Sequence, residues 1–303
     1  MSVLLRMGEW IDAFRPANAP PPQRLGAFFR WSLKDTWIQL WFSAALSSLA
    51  GVTEVVSALV LGWLIDAAVG GNPASFFTDH ATLIIWSVVF YLVLRPISYA
   101  ISAASVAITL GPNLLPLVLS RLHRWTLGQA LTFFDNDFAG RIAQKQMQAA
   151  RAVTDVATEF INTICFALAS VIASVVFLFS VDWRVGAALG IWLIAYLTLV
   201  RFFIPLVREN SAARASSRAM VTGQVVDTIT NIKTVKLFAH AAFEDRVALR
   251  AMEVFRDRSL EYGVISAWFR LTLMTLAGTL PVILIGGTLM LWQQGLATPG
   301  GIA

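Results

Sequence analysis

The sequence holds few of the side-chain groupings that catalysis or metal binding requires. Its single cysteine, Cys165, lies in an apolar run and has no second thiol with which to form a disulfide or a metal cluster. The three histidines, His80, His123 and His240, lack the spacing of metal ligands. The pattern G-x-x-x-x-G-K followed by Ser or Thr, whose backbone cradles nucleotide phosphates, does not occur. We therefore expect no catalytic, metal-binding or cofactor-binding residues in this chain.

Two charged residues, Glu54 and Arg95, lie deep inside long apolar stretches. An isolated charge at the centre of a bilayer costs at least about 2.5 kcal/mol. Counted from the loop between the two stretches, the residues lie at similar depths of roughly 18 and 21 Å, at 1.5 Å per residue. Two interpretations follow: a structural ion pair between neighbouring helices, or two charges that line a translocation cavity.

The composition around these residues is that of a membrane protein. Of 303 residues, 57% are hydrophobic and only 14% are charged, with a mean hydropathy of +0.69, whereas soluble domains carry about 25% charged residues. This shortage of charge excludes an ordinary soluble enzyme, and the apolar content excludes a disordered chain. The net charge of +5 is better explained by loops on the cytoplasmic side of a membrane than by nucleic-acid binding, so we expect no nucleic-acid partner.

Five apolar stretches are long enough to cross a lipid bilayer, which requires about 20 residues. We predict spans at about 37–65, 81–119, 160–181, 185–207 and 264–291. Lysine and arginine are concentrated before the first span and in the segments after the second and fourth; the exceptions are Arg95, Arg184, Arg201 and Arg270. The positive-inside rule therefore places the N-terminus and these two segments in the cytoplasm.

The two cytoplasmic segments, about 120–159 and 208–262, have the composition of helices. Residues 208–262 contain no proline and one glycine, and their apolar residues recur at helical spacing. We therefore predict two helical hairpins that continue the spans into the cytoplasm, where 20 residues of helix reach about 30 Å.

Residues 1–35 form a separate cytoplasmic or interfacial segment. Apolar residues recur at helical spacing from Val3 to Phe14 and from Leu25 to Leu33, and four prolines lie between these stretches. The pattern predicts two short amphipathic helices separated by a proline-rich linker. They either lie in the membrane interface or, for the first helix, pack on a protein partner.

Three motifs stand at particular places in this topology. They are Phe133-Phe134-Asp135 with Gly140-Arg141-Ile142 in the first hairpin, Asp182-Trp183-Arg184 at the tight outer turn, and the run from Val226 to Phe238 in the second hairpin. With the topology, over residues 36–303, they resemble the transmembrane domain of ABC exporters of the type 1 fold, similar to bacterial multidrug and lipid half-transporters. The resemblance implies an all-α polytopic membrane domain in which five of the family's six membrane helices are present.

In that family, short coupling helices at the hairpin tips dock on a nucleotide-binding domain. The resemblance therefore assigns contact with that domain to residues near the two tips: Phe133, Phe134, Asp135, Gly140, Arg141, Asn231, Lys233, Lys236 and His240. Each tip has an alternative interpretation. At the first tip, the phenylalanines pack within their own hairpin; at the second, the lysines and the histidine form a solvated face.

The resemblance also implies a function. The chain would be the transmembrane subunit of an exporter in the bacterial inner membrane, paired with a second identical or different subunit and working by alternating access. ATP and Mg²⁺ would bind a nucleotide-binding domain outside this chain, so ATPase activity is expected only of the complete protein. The end of the sequence before a sixth span predicts a fragment of a longer protein. An ATP-independent secondary transporter or channel is the alternative, and it accounts poorly for two long basic hairpins.

Overall fold

The computed structural model describes residues 6–135, 139–238 and 241–302, and every regular element among them is helical. The predicted all-α fold is therefore confirmed. In chain order the helices are α1 (Leu25–Ser32), α2 (Trp37–Gly70), α3 (Phe76–Asp79), α4 (Ala81–Leu127), α5 (Leu131–Asp135), α6 (Gly140–Val181), α7 (Trp183–Thr230), α8 (Ile232–Leu237) and α9 (Ala241–Gln293). A 3-10 turn, Pro299–Ile302, closes the described chain.

Five of these helices, α2, α4, α6, α7 and α9, are long and apolar enough to cross a membrane, and each contains one of the predicted spans. They also run well past the apolar stretches. Helix α7 has 48 residues and α9 has 53, so at 1.5 Å per residue each is roughly 70–80 Å long. That is more than twice the hydrocarbon thickness of about 30 Å. The additional length carries the short helices α5 and α8 away from the apolar segments.

Helix α4 is not uniformly α-helical. It contains two π-helical segments, Phe90–Leu94 and Ser105–Leu110, and a proline follows each of them at Pro96 and Pro112. Proline has no N–H to donate, and its ring clashes with the carbonyl four residues earlier. That carbonyl lies inside the π segment in both cases, so the wider turn gives it the room that a regular α-helix would deny.

The chain divides into two compact units, Met1–Val181 with Gly295–Ala303 and Asp182–Gln294. In the first unit, α2, α4 and α6 surround a core that includes the fully buried Leu114 and Val118. The Ser47 hydroxyl donates a 2.7 Å hydrogen bond to the Ile161 carbonyl, which joins α2 to α6. Four residues on, a side chain at Gly51 would overlap the backbone of α6, so glycine permits this close helix contact.

The described end of the chain returns to α2 in the same unit. The Asp66 carboxylate accepts hydrogen bonds from the Thr298 hydroxyl at 2.7 Å and from the Gly300 N–H at 2.5 Å. Gly62 and Gly300 approach so closely that a β-carbon on either would overlap the other's carbonyl. The segment after α9 is therefore attached to the end of the first membrane helix.

The second unit is a long antiparallel pair of helices, α7 and α9. Asp182 caps the start of α7, since its carboxylate accepts the Arg184 N–H at 2.7 Å. Along the apolar part, the Trp192 indole donates to the Leu276 carbonyl at 2.9 Å. At the far end, the Glu244 carboxylate accepts the Thr228 hydroxyl at 3.1 Å, which fixes the start of α9 to α7.

The N-terminal segment differs in part from its prediction. Leu25–Ser32 is helical as expected, but within the described part of the earlier stretch, residues 6–14, only residues 6–8 are helical, and turns follow. The Asp12 carboxylate accepts the Phe14 N–H at 3.0 Å, and such a local bond competes with helix formation. The apolar face packs on its own chain, because Trp31 and Leu33 join the core of the first unit.

Arg121 of α4 holds this segment in place. Its side chain is 0% exposed, and its N–H groups donate at 3.0–3.2 Å to four backbone carbonyls, those of Arg15, Trp31, Ser32 and Lys34. The Asp35 carboxylate lies 3.5 Å from Nη2. Burial lowers the pKa of Arg121 from its ordinary value, and the charge of Asp35 acts in the opposite direction. Arg121, which sequence analysis grouped with the basic residues of the first cytoplasmic segment, is therefore an internal anchor.

We predict that Arg121→Met releases the N-terminal segment, because four backbone carbonyls, two of them buried, lose their donor at a cost of about 3 kcal/mol. Limited trypsin digestion of the protein in membranes should then cleave at Arg15, Arg24 and Arg30 much faster than in the unaltered protein. Arg124→Met is the matched control, since the exposed Arg124 makes one bond to the segment, to the Phe14 carbonyl. Equal cleavage of the two variants would show that Arg121 is not the anchor.

Candidate coupling surfaces and an intramembrane charge pair

The first candidate surface is the short helix α5. The ring of Phe133 packs edge-on against Trp125 of α4, with centroids 6.0 Å apart, and it is half-buried. It also lines a cavity of about 400 Å³ together with Phe28, Leu122 and Ile142. The Phe134 ring contacts Phe133 edge-on at 5.3 Å. Phe133 therefore fixes α5 to the body of the first unit.

The outward face of α5 consists of Leu131 and Phe134, which are 77% and 38% exposed. Residues three apart share one face of a helix, so the two side chains form one apolar surface. Both Phe133 and Phe134 were expected to contact another domain. In the structure, Phe133 packs against Trp125, whereas Phe134 lies on the exposed face. Leu131 was missed, although its spacing from Phe134 is a signal that sequence analysis can use.

The other residues assigned to this tip follow α5. Asp135 is the last residue of the helix, but its side chain lies outside the described part of the structure, as do Asn136 and Asp137. Gly140 and Arg141 lie in the first turn of α6, where both are exposed. Their contact with another domain stays a prediction.

The second candidate surface is α8, between the two long helices of the second unit. Asn231 precedes it, and its side-chain amide donates to the carbonyl and the carboxylate of Asp227 at 3.1 and 3.0 Å. Lys233 and Lys236 are exposed on α8, and His240 lies outside the described residues. Asn231 therefore shapes the turn, while the two lysines remain accessible to a partner.

Apolar side chains at this second tip were also missed by sequence reasoning. Val235 of α8 is buried, whereas Leu237 is 81% exposed and Phe238 is exposed beside it. The lysines drew attention because their charges could meet acidic or backbone groups of a partner, whereas Leu237 and Phe238 stood only within the longer motif. Each tip thus combines one apolar residue that fixes the short helix with two that project outward.

Glu54 and Arg95 meet in the first unit. The Arg95 Nη2 lies 2.9 Å from Oε2 and 3.3 Å from Oε1 of Glu54, and the Tyr99 hydroxyl donates to Oε2 at 2.8 Å. The side chains of Glu54 and Arg95 are 45% and 36% exposed in the chain. The structure thus contains the predicted ion pair, partly exposed in this chain, while a role of the two charges in lining a translocation cavity stays a prediction.

Comparison with known proteins places the chain among transporters. Residues 40–300 match the family described as ABC transporter transmembrane region. A Haemophilus influenzae protein named uncharacterized ABC transporter ATP-binding protein is 30% identical over 95% of this chain and 47% of its own length. The human and mouse ABC-type oligopeptide transporter ABCB9 are 25% and 24% identical over 80% of this chain and 32% of theirs. The chain therefore spans about half the length of the bacterial relative and a third of the mammalian ones.

We predict that Phe133→Ala lowers the stability of the first unit by about 2 kcal/mol, because it removes a half-buried ring and its contact with Trp125. Phe134→Ala should cost less than about 1 kcal/mol, since that ring faces outward. Thermal unfolding of the purified protein in detergent measures both changes. A larger loss for Phe134→Ala than for Phe133→Ala would contradict the assignment of Phe133 as the anchor.

For the charge pair, Glu54→Arg and Arg95→Glu should each reduce the yield of folded protein, because like charges then face each other within the membrane. The exchange of both residues should restore the yield, as measured by size-exclusion chromatography of detergent-solubilised membranes. The control is the same exchange at Arg258 and Glu261, an exposed pair 2.8 Å apart on α9, before its predicted membrane span begins. A double variant at 54 and 95 that stays as poor as the single ones would refute the pairing.

Proposed function

Because the chain belongs to the ABC transporter transmembrane region family, we propose that it is the membrane part of an ATP-driven exporter. The observation that carries the proposal is the pair of short helices, α5 and α8, that display exposed apolar side chains at the ends of long helical extensions. Apolar groups held in water at such a distance from the bilayer favour burial against a partner.

The partner we propose is a nucleotide-binding domain with a groove that accepts each short helix. Leu131 and Phe134 would enter one groove, and Leu237 and Phe238 would enter another. Lys233, Lys236 and Arg141 would add polar contacts at the edges of these surfaces. That domain would bind ATP and Mg²⁺, and closure of two such domains would move the short helices.

The long helices make such a movement effective in the membrane. Each of α7 and α9 is one helix that continues across its internal proline, Pro205 or Pro281, so a displacement of α8 would be passed along both helices to their membrane portions. We propose that this motion exposes a transport pathway to one side of the membrane and then to the other. A second transmembrane subunit, identical or different, would complete the pathway.

The same proposal includes an orientation. The N-terminus and both short helices lie in the cytoplasm, and the membrane is the inner membrane of a bacterium. The distribution of lysine and arginine supports this arrangement, since the basic residues gather before α2 and around α5 and α8.

We predict that Leu131→Ala with Phe134→Ala uncouples ATP hydrolysis from movement of the membrane helices. In the complete protein, ATP with vanadate should change the tryptic cleavage pattern of this chain, and the double variant should lose that change while it still hydrolyses ATP. Leu249→Ala is the matched control, because Leu249 is an exposed apolar residue of α9 and belongs to neither short helix.

Two results would contradict the proposal. If the double variant keeps the full vanadate-dependent change, α5 does not transmit the motion. If the complete protein neither binds nor hydrolyses ATP, an ATP-independent transporter becomes the better interpretation.

A further inference from the structure

We propose that Glu54, Arg95 and Tyr99 form a binding site within the membrane for an oxyanion, a carboxylate or phosphate, carried on an amphipathic molecule. The inference deepens the proposed function, on which it rests, because it names the chemical class of the substrate. Binding itself is measurable without transport, so the two proposals can fail separately.

The depth of this cluster in the membrane makes it costly for its charged side chains to face lipid tails. Glu54 lies near the middle of α2, with about 25 Å of helix on either side at 1.5 Å per residue. Charged side chains at such depth almost always face a protein interior or a water-filled cavity. Glu54 and Arg95 are each more than a third exposed in this chain, and Ala58 and Leu61 continue the same exposed face of α2. This face therefore borders something more polar than lipid tails.

The hydrogen-bond inventory of the cluster decides which ligand fits. Glu54 accepts from both Arg95 Nη2 and the Tyr99 hydroxyl, so its Oε2 is fully engaged. Arg95 uses only Nη2, and among the described residues neither Nε nor Nη1 has a hydrogen-bond acceptor. A guanidinium carries five N–H donors in a planar fork. The cluster thus has donors to spare, and a ligand with two oxygen acceptors would satisfy them.

A cationic ligand fits this arrangement poorly. It would need the Glu54 carboxylate, whose better-engaged oxygen already takes bonds from two residues. At Oε1, which accepts one bond at 3.3 Å, such a ligand would lie beside the Arg95 guanidinium and be repelled by its positive charge. The geometry therefore favours an anion over a cation.

The surroundings of the cluster suit a ligand with an apolar part. The Tyr99 ring lies 6.1 Å from the Phe166 ring and 6.0 Å from the Arg95 guanidinium carbon. The nearby Tyr91 hydroxyl is already paired with Ser57, to whose carbonyl it donates at 2.7 Å. Aromatic and aliphatic surface thus flanks one polar centre, as a head group joined to a hydrocarbon tail requires. The π segment Phe90–Leu94, which ends just before Arg95, is a feature often found at functional sites.

The test is equilibrium binding of radiolabelled decyl phosphate and decanoate to the complete protein in a neutral detergent. Decyltrimethylammonium and inorganic phosphate serve as the cationic and tail-free comparisons. The decisive variant is Arg95→Lys, which keeps the ion pair with Glu54 but lacks the planar fork. Its Kd for both anionic amphiphiles should rise about tenfold. Arg201→Lys is the matched control, since Arg201 is an exposed arginine on the apolar part of α7, and its Kd should not change.

Competition with phosphatidylglycerol distinguishes the source of the ligand. Displacement of decyl phosphate supports a site for a bilayer lipid, and its absence supports a site for a soluble amphiphile. An unchanged Kd in Arg95→Lys, tighter binding of decyltrimethylammonium, or equal binding of inorganic phosphate would each overturn the inference. ATP hydrolysis measured on the same samples shows whether the proposed function has failed instead.

Discussion

A polypeptide that crosses hydrocarbon must satisfy its own backbone hydrogen bonds, and the architecture of this chain depends on that constraint. Every regular element in the described residues is helical, and five helices carry the apolar segments. Because each of these helices continues past its apolar stretch, they form long rods, although α4 and α6 include π-helical segments and α7 and α9 each contain a proline. The positions of α5 and α8 are a consequence, since a short turn at the end of a long rod lies far from the bilayer.

The need to satisfy hydrogen bonds away from water also distinguishes two arginines of this chain, Arg121 and Arg95. Arg121 is wholly buried and donates to backbone carbonyls of the N-terminal segment, so its charge holds one part of the chain against another. Arg95 is partly exposed and shares a carboxylate with Tyr99, and within the described ranges some of its donors are left unengaged. A fully satisfied guanidinium acts as an anchor, whereas a partly satisfied one is suited to receive a ligand.

At the two hairpin tips, burial and exposure are divided between neighbouring residues. Phe133 contacts Trp125 while Leu131 and Phe134 face outward, and Val235 is buried while Leu237 is exposed. Rigid attachment and an accessible apolar face are both needed if a short helix is to transmit force to a partner. The tip residues of this chain meet both requirements within a few positions of sequence.

Much of this architecture was predictable from the sequence, because hydrophobic length and helical spacing are local properties. The five spans, the helical hairpins and the depth of Glu54 and Arg95 depend on nothing more. The sequence could not show that the stretch ending at Phe14 turns at Asp12, that Arg121 is internal, or that Phe133 and Phe134 face different surroundings. Those outcomes depend on which distant residues come into contact, such as Arg121 with the carbonyls of Trp31 and Ser32. Local patterns thus determined that the chain forms membrane helices, and only the tertiary contacts decided which polar and aromatic side chains are used for packing and which remain available to partners.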